Sequence, residues 1–254
     1  MITTTKQGTI MTDLFDALKV TETVEENKDT LGGMQLLDSG VYPVTIQAMF
    51  VGTSAGGAVS VTIHALTDKG ESFRTTQYVT SSRAKGGKPY YTRNGKNYFL
   101  PGYNMINAVC ALACDKSIAE MEREDKTIML YDYDAGGEKP TVVSMLVEAI
   151  GKKVALGIQK QVVDKNKKNE TTGVYEPTGE TREVNELDAV FSFDTGLTHS
   201  ETKDKQEEPV FLGKWKDKWA GKVNHKAKGL EGSTGSIAKA AAGATPKPTK
   251  SLFK

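Results

Sequence analysis

Three stretches decide the fold: Gly40-Val-Tyr-Pro-Val-Thr-Ile-Gln-Ala-Met-Phe50, Val59-Ser-Val-Thr-Ile-His-Ala65 and Glu71-Ser-Phe-Arg-Thr-Thr-Gln-Tyr-Val-Thr80. In the first, Tyr42, Val44, Ile46, Ala48 and Phe50 alternate with more polar neighbours, and in the second Val59, Val61, Ile63 and Ala65 do the same. A period of two places one set of side chains on the buried face of a sheet. Gly56-Gly57 and Asp68-Lys69-Gly70 supply the tight turns between them. The third stretch puts Phe73 and Val79 inside and Arg74, Thr76 and Tyr78 outside. The expectation is a mainly β protein built on a three-stranded meander, with a cationic and aromatic stripe on its outer face.

The stripe belongs to a longer anomaly. From Ser72 to Cys114 the chain runs for 43 residues without an acid, although Asp and Glu fill 32 of 254 positions. The same window holds Arg74, Arg83, Lys85, Lys88, Arg93 and Lys96, together with Phe73, Tyr78, Tyr90, Tyr91, Tyr98, Phe99 and Tyr103. Cations attract phosphates and aromatic rings stack on unpaired bases. Asn94-Gly95 is the strongest short hairpin signal, because a type I′ turn needs positive φ at both central residues. With a two-residue turn, Arg93 faces Lys96, Thr92 faces Asn97, Tyr91 faces Tyr98 and Tyr90 faces Phe99. Tyr91, Arg93, Lys96 and Tyr98 then share one face, and Tyr90 and Phe99 the other. Two cations directly opposite each other destabilise a hairpin, a cost that a bound anion relieves.

Beyond the hairpin, residues 103–113 read as an apolar helix that contains Cys110 and Cys114. Ser117 and Glu120 suggest a capping box opening a short helix over 118–123. Strands are expected at 127–131, 142–147 and 154–163. A long hairpin or loop follows at 164–181, and a strand over 183–193 closes the domain. Lys165, Lys167 and Lys168 form a second, weaker group of candidate phosphate contacts. Residues 195–209 read as a charged linker. Trp215 and Trp219 read as one aromatic edge of a short helix, able either to stack on bases or to pack back onto the domain.

Charge is divided unevenly. The net charge of +1 combines an acidic body with a basic end, since residues 214–254 hold ten lysines and two acids. Residues 221–254, rich in Lys, Ala, Gly, Thr and Pro, read as a disordered tail whose one hydrophobic point is Leu252-Phe253-Lys254. Residues 1–33 read as a flexible arm with a short helix at 13–19, polar and without the apolar stretch of a secretory signal. No apolar run reaches the ~20 residues that span a bilayer. Two cysteines and three histidines offer no ligand spacing for a metal, and Asp132, Asp134 and Glu138 read as a solvated turn. No phosphate-binding glycine loop, nucleophile elbow or zinc-protease motif is present. Neither enzymatic activity nor a cofactor is expected. The unpaired cysteines fit a reducing cytoplasm.

The runs Gly40-Val-Tyr-Pro-Val44, Lys85-Gly-Gly-Lys-Pro-Tyr-Tyr91, Gly95-Lys-Asn-Tyr-Phe-Leu-Pro-Gly102, Lys160-Gln-Val-Val-Asp-Lys165 and Tyr175-Glu-Pro-Thr-Gly-Glu-Thr-Arg182 together resemble single-stranded DNA-binding proteins of Schitoviridae-type bacteriophages. The resemblance covers about residues 34–220. It implies an OB-like β-barrel over residues 34–195, with an extended hairpin arm and a capping helix, a linker with a Trp-containing helix over 196–220, and a tail from 221. It also implies a protein that coats single strands during phage DNA replication and recombination in the host cytoplasm, and contact with replication proteins or RNA polymerase through the C-terminal part, at Leu252, Phe253 and Lys254. Arg74, Tyr78, Arg83, Lys85, Lys88, Tyr91, Arg93, Lys96, Tyr98 and Phe99 are then the expected contacts to DNA. The rival readings are a transcription cofactor acting through its basic tail and a phage structural protein using the hairpin for assembly.

Overall fold

A computed structural model describes residues 36–132, 136–169, 171 and 175–228. Most lie in strands: β1 (Gly40–Thr53), β2 (Val59–Thr67), β3 (Ser72–Tyr78), β4 (Tyr90–Arg93), β5 (Lys96–Phe99), β6 (Arg123–Asp132), β7 (Gly137–Leu146), β8 (Lys153–Lys168), β9 (Tyr175–Phe191) and β10 (Val223–His225). Three helices join them: α1 (Pro101–Cys114), α2 (His199–Lys203) and α3 (Val210–Trp219). The expected helix at 13–19 and the tail with Leu252, Phe253 and Lys254 lie outside the described residues.

The meander forms as the alternation implies. β1, β2 and β3 pair antiparallel, and Val61, Ile63, Ala65, Phe73 and Val79 turn inward. β1 departs from its simple alternation. The register shifts between Ile46 and Ala48, and this bulge sends later side chains to the opposite faces. Val44, Ile46 and Met49 therefore enter the main core, while Ala48 and Phe50 turn outward and pack under Ile128, Leu130, Val143 and Met145 of the β6–β7 hairpin. A strand expected to be half-buried is covered on both sides.

One edge of β1 pairs with β2. Its other edge pairs with β8 through Gly40–Thr45 and touches β7 at Phe50 and Val51. β9 runs antiparallel along β8, and β10 adds a short parallel stretch at Lys160–Val162. The sheet curls so that β1, β2, β3, β8 and β9 share one core with Ile106, Val109 and Cys110 of α1. Each large apolar side chain so buried contributes about 1.5–3 kcal/mol. The sheet is open: no ladder joins β3 to β9, and Gln77 Nε2 instead donates to Glu186 Oε1 across the gap at 3.0 Å. The expected closed barrel is corrected to a curled sheet with one unladdered seam.

Two further expectations change, and the choice left open at 164–181 is made. Ser117 and Glu120 form a turn instead of a helix: Ser117 N and Oγ both donate to Glu120 Oε2, and the chain enters β6 three residues later. The segment at 164–181 is a hairpin whose strands run out to Lys168 and back from Tyr175. Residues 195–209 are more than a linker. Thr198 and Glu201 build a capping box for α2, and Glu201 Oε1 also accepts from Phe211 N at 2.7 Å, tying α2 to α3. α3 then lays Trp215 over Ala155, Ala189 and Phe191.

Candidate nucleic-acid interface

The β4–β5 hairpin is a small sheet of its own, and its turn is the one the sequence specifies. Asn94 and Gly95 both have positive φ, 51° and 72°, the geometry a type I′ turn demands. The register is Tyr90–Phe99, Tyr91–Tyr98, Thr92–Asn97 and Arg93–Lys96. An isolated two-stranded hairpin is marginal in water, and here the root is held from several sides. Leu100 N donates to Pro89 O, and Ser81 N donates to Lys88 O, both at 2.8 Å. Phe99 stacks on Tyr103 of α1 with centroids 4.5 Å apart. α1 in turn sits close against β3: a Cβ on Gly102 would lie 2.3 Å from Tyr78 O, so only glycine fits there.

The outer face has the expected composition. Tyr91 and Tyr98 are each 45% exposed and stack on each other at 5.8 Å, 28° from parallel. Each ring therefore keeps one face open. Arg93 and Lys96 lie opposite one another beside them. Among the described residues none of Arg74, Arg83, Lys85, Lys88, Arg93 and Lys96 forms an ion pair.

A groove of about 740 Å³ opens where β3 ends and the hairpin begins. Tyr78, Thr80, Ser81, Lys85, Lys88, Tyr90 and Tyr91 line it with the helix start at Gly102, and no acid is among its walls. Lys88 Nζ rests 5.5 Å above the Tyr90 ring. Arg83 N donates to Gly56 O and the Arg83 side chain lies along Gly57, so the β1–β2 turn is drawn toward the same region. Tyr78 continues onto the outer face of β3, where Thr76 bonds Thr62 and Arg74 pairs with His64 across the ladder. His64 lies on this same outer face, on β2. Its Nε2 is buried without a hydrogen-bond partner, its ring meets Phe50 edge-on, and burial followed by the Arg74 charge holds its pKa below the ordinary value.

Phe99 lies apart from Tyr91 and Tyr98, on the opposite hairpin face, where Tyr103 covers one side of its ring. It lines a second groove, of about 900 Å³, with Tyr103, Asp188, Glu201, Phe211 and Lys214. The Lys165 group is differently placed. Lys165 Nζ donates to Glu180 at 2.7 Å and holds that carboxyl below the usual range, and Lys167 stands opposite Glu176 in the ladder. Lys168 pairs with Tyr175 in register. Trp215 is 3% exposed and donates from Nε1 to Asp188 at 2.7 Å, which assigns it to packing and not to base stacking. Trp219 is partly buried beside it, under Lys218.

Among the described residues no group of His, Cys, Asp and Glu is placed to hold a metal ion, and no helix is long and apolar enough to cross a membrane. The chain matches no protein family, and no curated protein matches its sequence.

Proposed function

We propose that this chain binds single-stranded DNA without sequence preference and coats it during phage DNA replication and recombination. One observation carries the reading. A solvent-facing hairpin places two stacked tyrosines and two facing, unpaired cations beside a groove that adds two more tyrosines, two lysines and no carboxylate. The open faces of Tyr91 and Tyr98 suit unpaired bases, each worth ~1–3 kcal/mol. The cations suit the phosphates between them, and an anion lying across Arg93 and Lys96 removes their mutual repulsion. A duplex offers no splayed bases to these rings, which favours a single strand. We further read the curled sheet as an OB-type barrel left unladdered between β3 and β9. The support is the placement of tyrosine, arginine and threonine on the outer face of β2 and β3, the face on which OB folds bind oligonucleotides.

The test is a titration of tyrosine and tryptophan fluorescence with oligo-dT, duplex DNA and oligo-rU at several salt concentrations. The expected result is quenching and tight binding with the single strand, weaker binding to duplex, and affinity that falls linearly on a log–log salt plot. An unresponsive protein would make the hairpin an assembly arm, and equal affinity for duplex would remove the stacking role.

A further inference from the structure

The β4–β5 hairpin is joined to the body of the protein at its root. Its two strands form a sheet of their own. Among the described residues the side chains of β4 and β5 make one hydrogen bond, Thr92 Oγ1 to Asn97 Oδ1 at 2.7 Å, and it stays inside the hairpin. At the root Leu100 N donates to Pro89 O, while Ser81 N donates to Lys88 O and Lys88 N to Ser81 Oγ. These bonds close the neck of the arm and leave its angle to side-chain packing. An element with few buried contacts samples many poses.

Phe99 supplies the missing contact. It is 51% exposed, and the covered side of its ring lies on Tyr103, with centroids 4.5 Å apart and planes 16° from parallel. Tyr103 is itself anchored. It packs against the main core from the same helix as Ile106, Val109 and Cys110, which are fully buried. The start of that helix is pressed onto β3, where Gly102 meets the backbone of Tyr78. A continuous line of contacts therefore runs from Tyr78 through Gly102 and Tyr103 to Phe99. At its two ends stand ring sites that face solvent: Tyr78, 53% exposed, and the Tyr91–Tyr98 pair. Tyr78, Tyr91 and the Leu100–Gly102 link all line one groove.

We propose that Phe99 and Tyr103 are positioning residues for the single strand. Their stack holds the hairpin at the angle that brings the Tyr91–Tyr98 rings and the Tyr78 ring within reach of one strand, and neither residue touches DNA. The proposal rests on the single-strand reading above, and it gives Phe99 a role other than base stacking. A strand that spans two sites gains from the second only when the geometry permits both at once. A stacked aromatic pair favours one pose over another by about 2- to 12-fold, so loss of the stack costs a spanning strand about that factor. The dinucleotide TpT, seated on the Tyr91–Tyr98 face alone, gains nothing from the separation and is indifferent to the stack.

Titrations of the full chain with long oligo-dT and with TpT test it. Phe99→Ala and Tyr103→Leu are each expected to lower affinity for long oligo-dT about 2- to 12-fold. The salt slope and the affinity for TpT are expected to stay as they are. The double variant is expected to lose no more than either single one, because both remove the same contact. Phe99→Tyr and Tyr103→Phe, which keep both rings, are expected to bind as the wild type does. Should Tyr103→Leu unfold, seen as a changed circular-dichroism spectrum, Phe99→Ala at its half-exposed site decides the matter. Unchanged affinity of Phe99→Ala for long oligo-dT overturns the proposal. So does weakened TpT binding by a folded Phe99→Ala, or additive losses in the double variant, since either makes Phe99 a base platform. A wild type that ignores oligo-dT removes the single-strand reading itself, and this inference with it; that failure shows before any variant is made.

Discussion

Two antiparallel ribbons of this protein carry exposed lysines, and they treat them in opposite ways. On β8–β9 three lysines are met by acids of the same ribbon: Lys160 lies 3.1 Å from Glu183, Lys165 lies 2.7 Å from Glu180, and Lys167 stands opposite Glu176. On β4–β5 the cross-strand partner of Arg93 is Lys96, and among the described residues neither forms an ion pair. Opposite charges across a ladder stabilise it and like charges directly opposed do the reverse. The β8–β9 ribbon thus has the charge pattern of a structural element. The β4–β5 hairpin gives up that stabilisation, while its root is held by Leu100, Ser81 and the Phe99–Tyr103 stack. Under the proposed function, this free cation pair beside the two rings is where a phosphate from outside would lie.

The largest expected effect concerns the rings. Replacing both Tyr91 and Tyr98 by Ala removes two stacking platforms of ~1–3 kcal/mol each, so affinity for oligo-dT is expected to fall about 30-fold or more. The slope of log K against log salt should stay as it is, because no phosphate contact is lost. Unchanged affinity in this variant breaks the contrast between the two ribbons.

Converting the hairpin to the pattern of β8–β9 comes next. Lys96→Glu places an acid opposite Arg93 and closes the pair internally. Binding is expected to weaken about tenfold while thermal stability holds or rises slightly, since exposed pairs are worth about 0–1 kcal/mol. Thermal melts beside filter-binding titrations separate the two. A quieter variant, Arg93→Ala with Lys96→Ala, is expected to flatten the salt slope by about 1.4, two contacts at ~0.7 each for a single strand.

The hairpin was legible in the sequence because everything that shapes it is local. Asn94-Gly95 fixes the turn, the turn fixes the register, and the register fixes which side chains share a face. What failed to read through depends on distant partners. After Ile46, both Ala48/Phe50 and Met49/Val51 are apolar, so a period of two cannot reveal the bulge; the cover for Phe50 arrives about ninety residues later on β7. Trp215 gave no sign of its fate, because Asp188 and the Ala155–Ala189 surface that receive it lie on other strands. The open seam between β3 and β9 is likewise a matter of how far the sheet curls. One miss had a local signal: Thr198-x-x-Glu201 is a capping box, obscured by the many charges around it. The lysines at 165–168 look like a basic cluster in one dimension, and only the returning strand brings Glu176 and Glu180 against them.

The smallest effect tests that last point from the other side. Glu180→Gln frees Lys165 without altering the shape of the ribbon. Loss of one exposed ion pair is expected to lower stability by no more than about 1 kcal/mol. If unpaired charge is what distinguishes the two ribbons, releasing one lysine lends β8–β9 a little of the hairpin's character. Affinity for oligo-dT at low salt is then expected to rise about twofold, and the salt slope to steepen by at most ~0.7, one phosphate contact on a single strand. A rise that survives at high salt would point to a rearranged strand path instead of a freed charge. A variant with unchanged affinity and slope places β8–β9 outside the DNA path, leaving the hairpin and its groove as the whole of the interface.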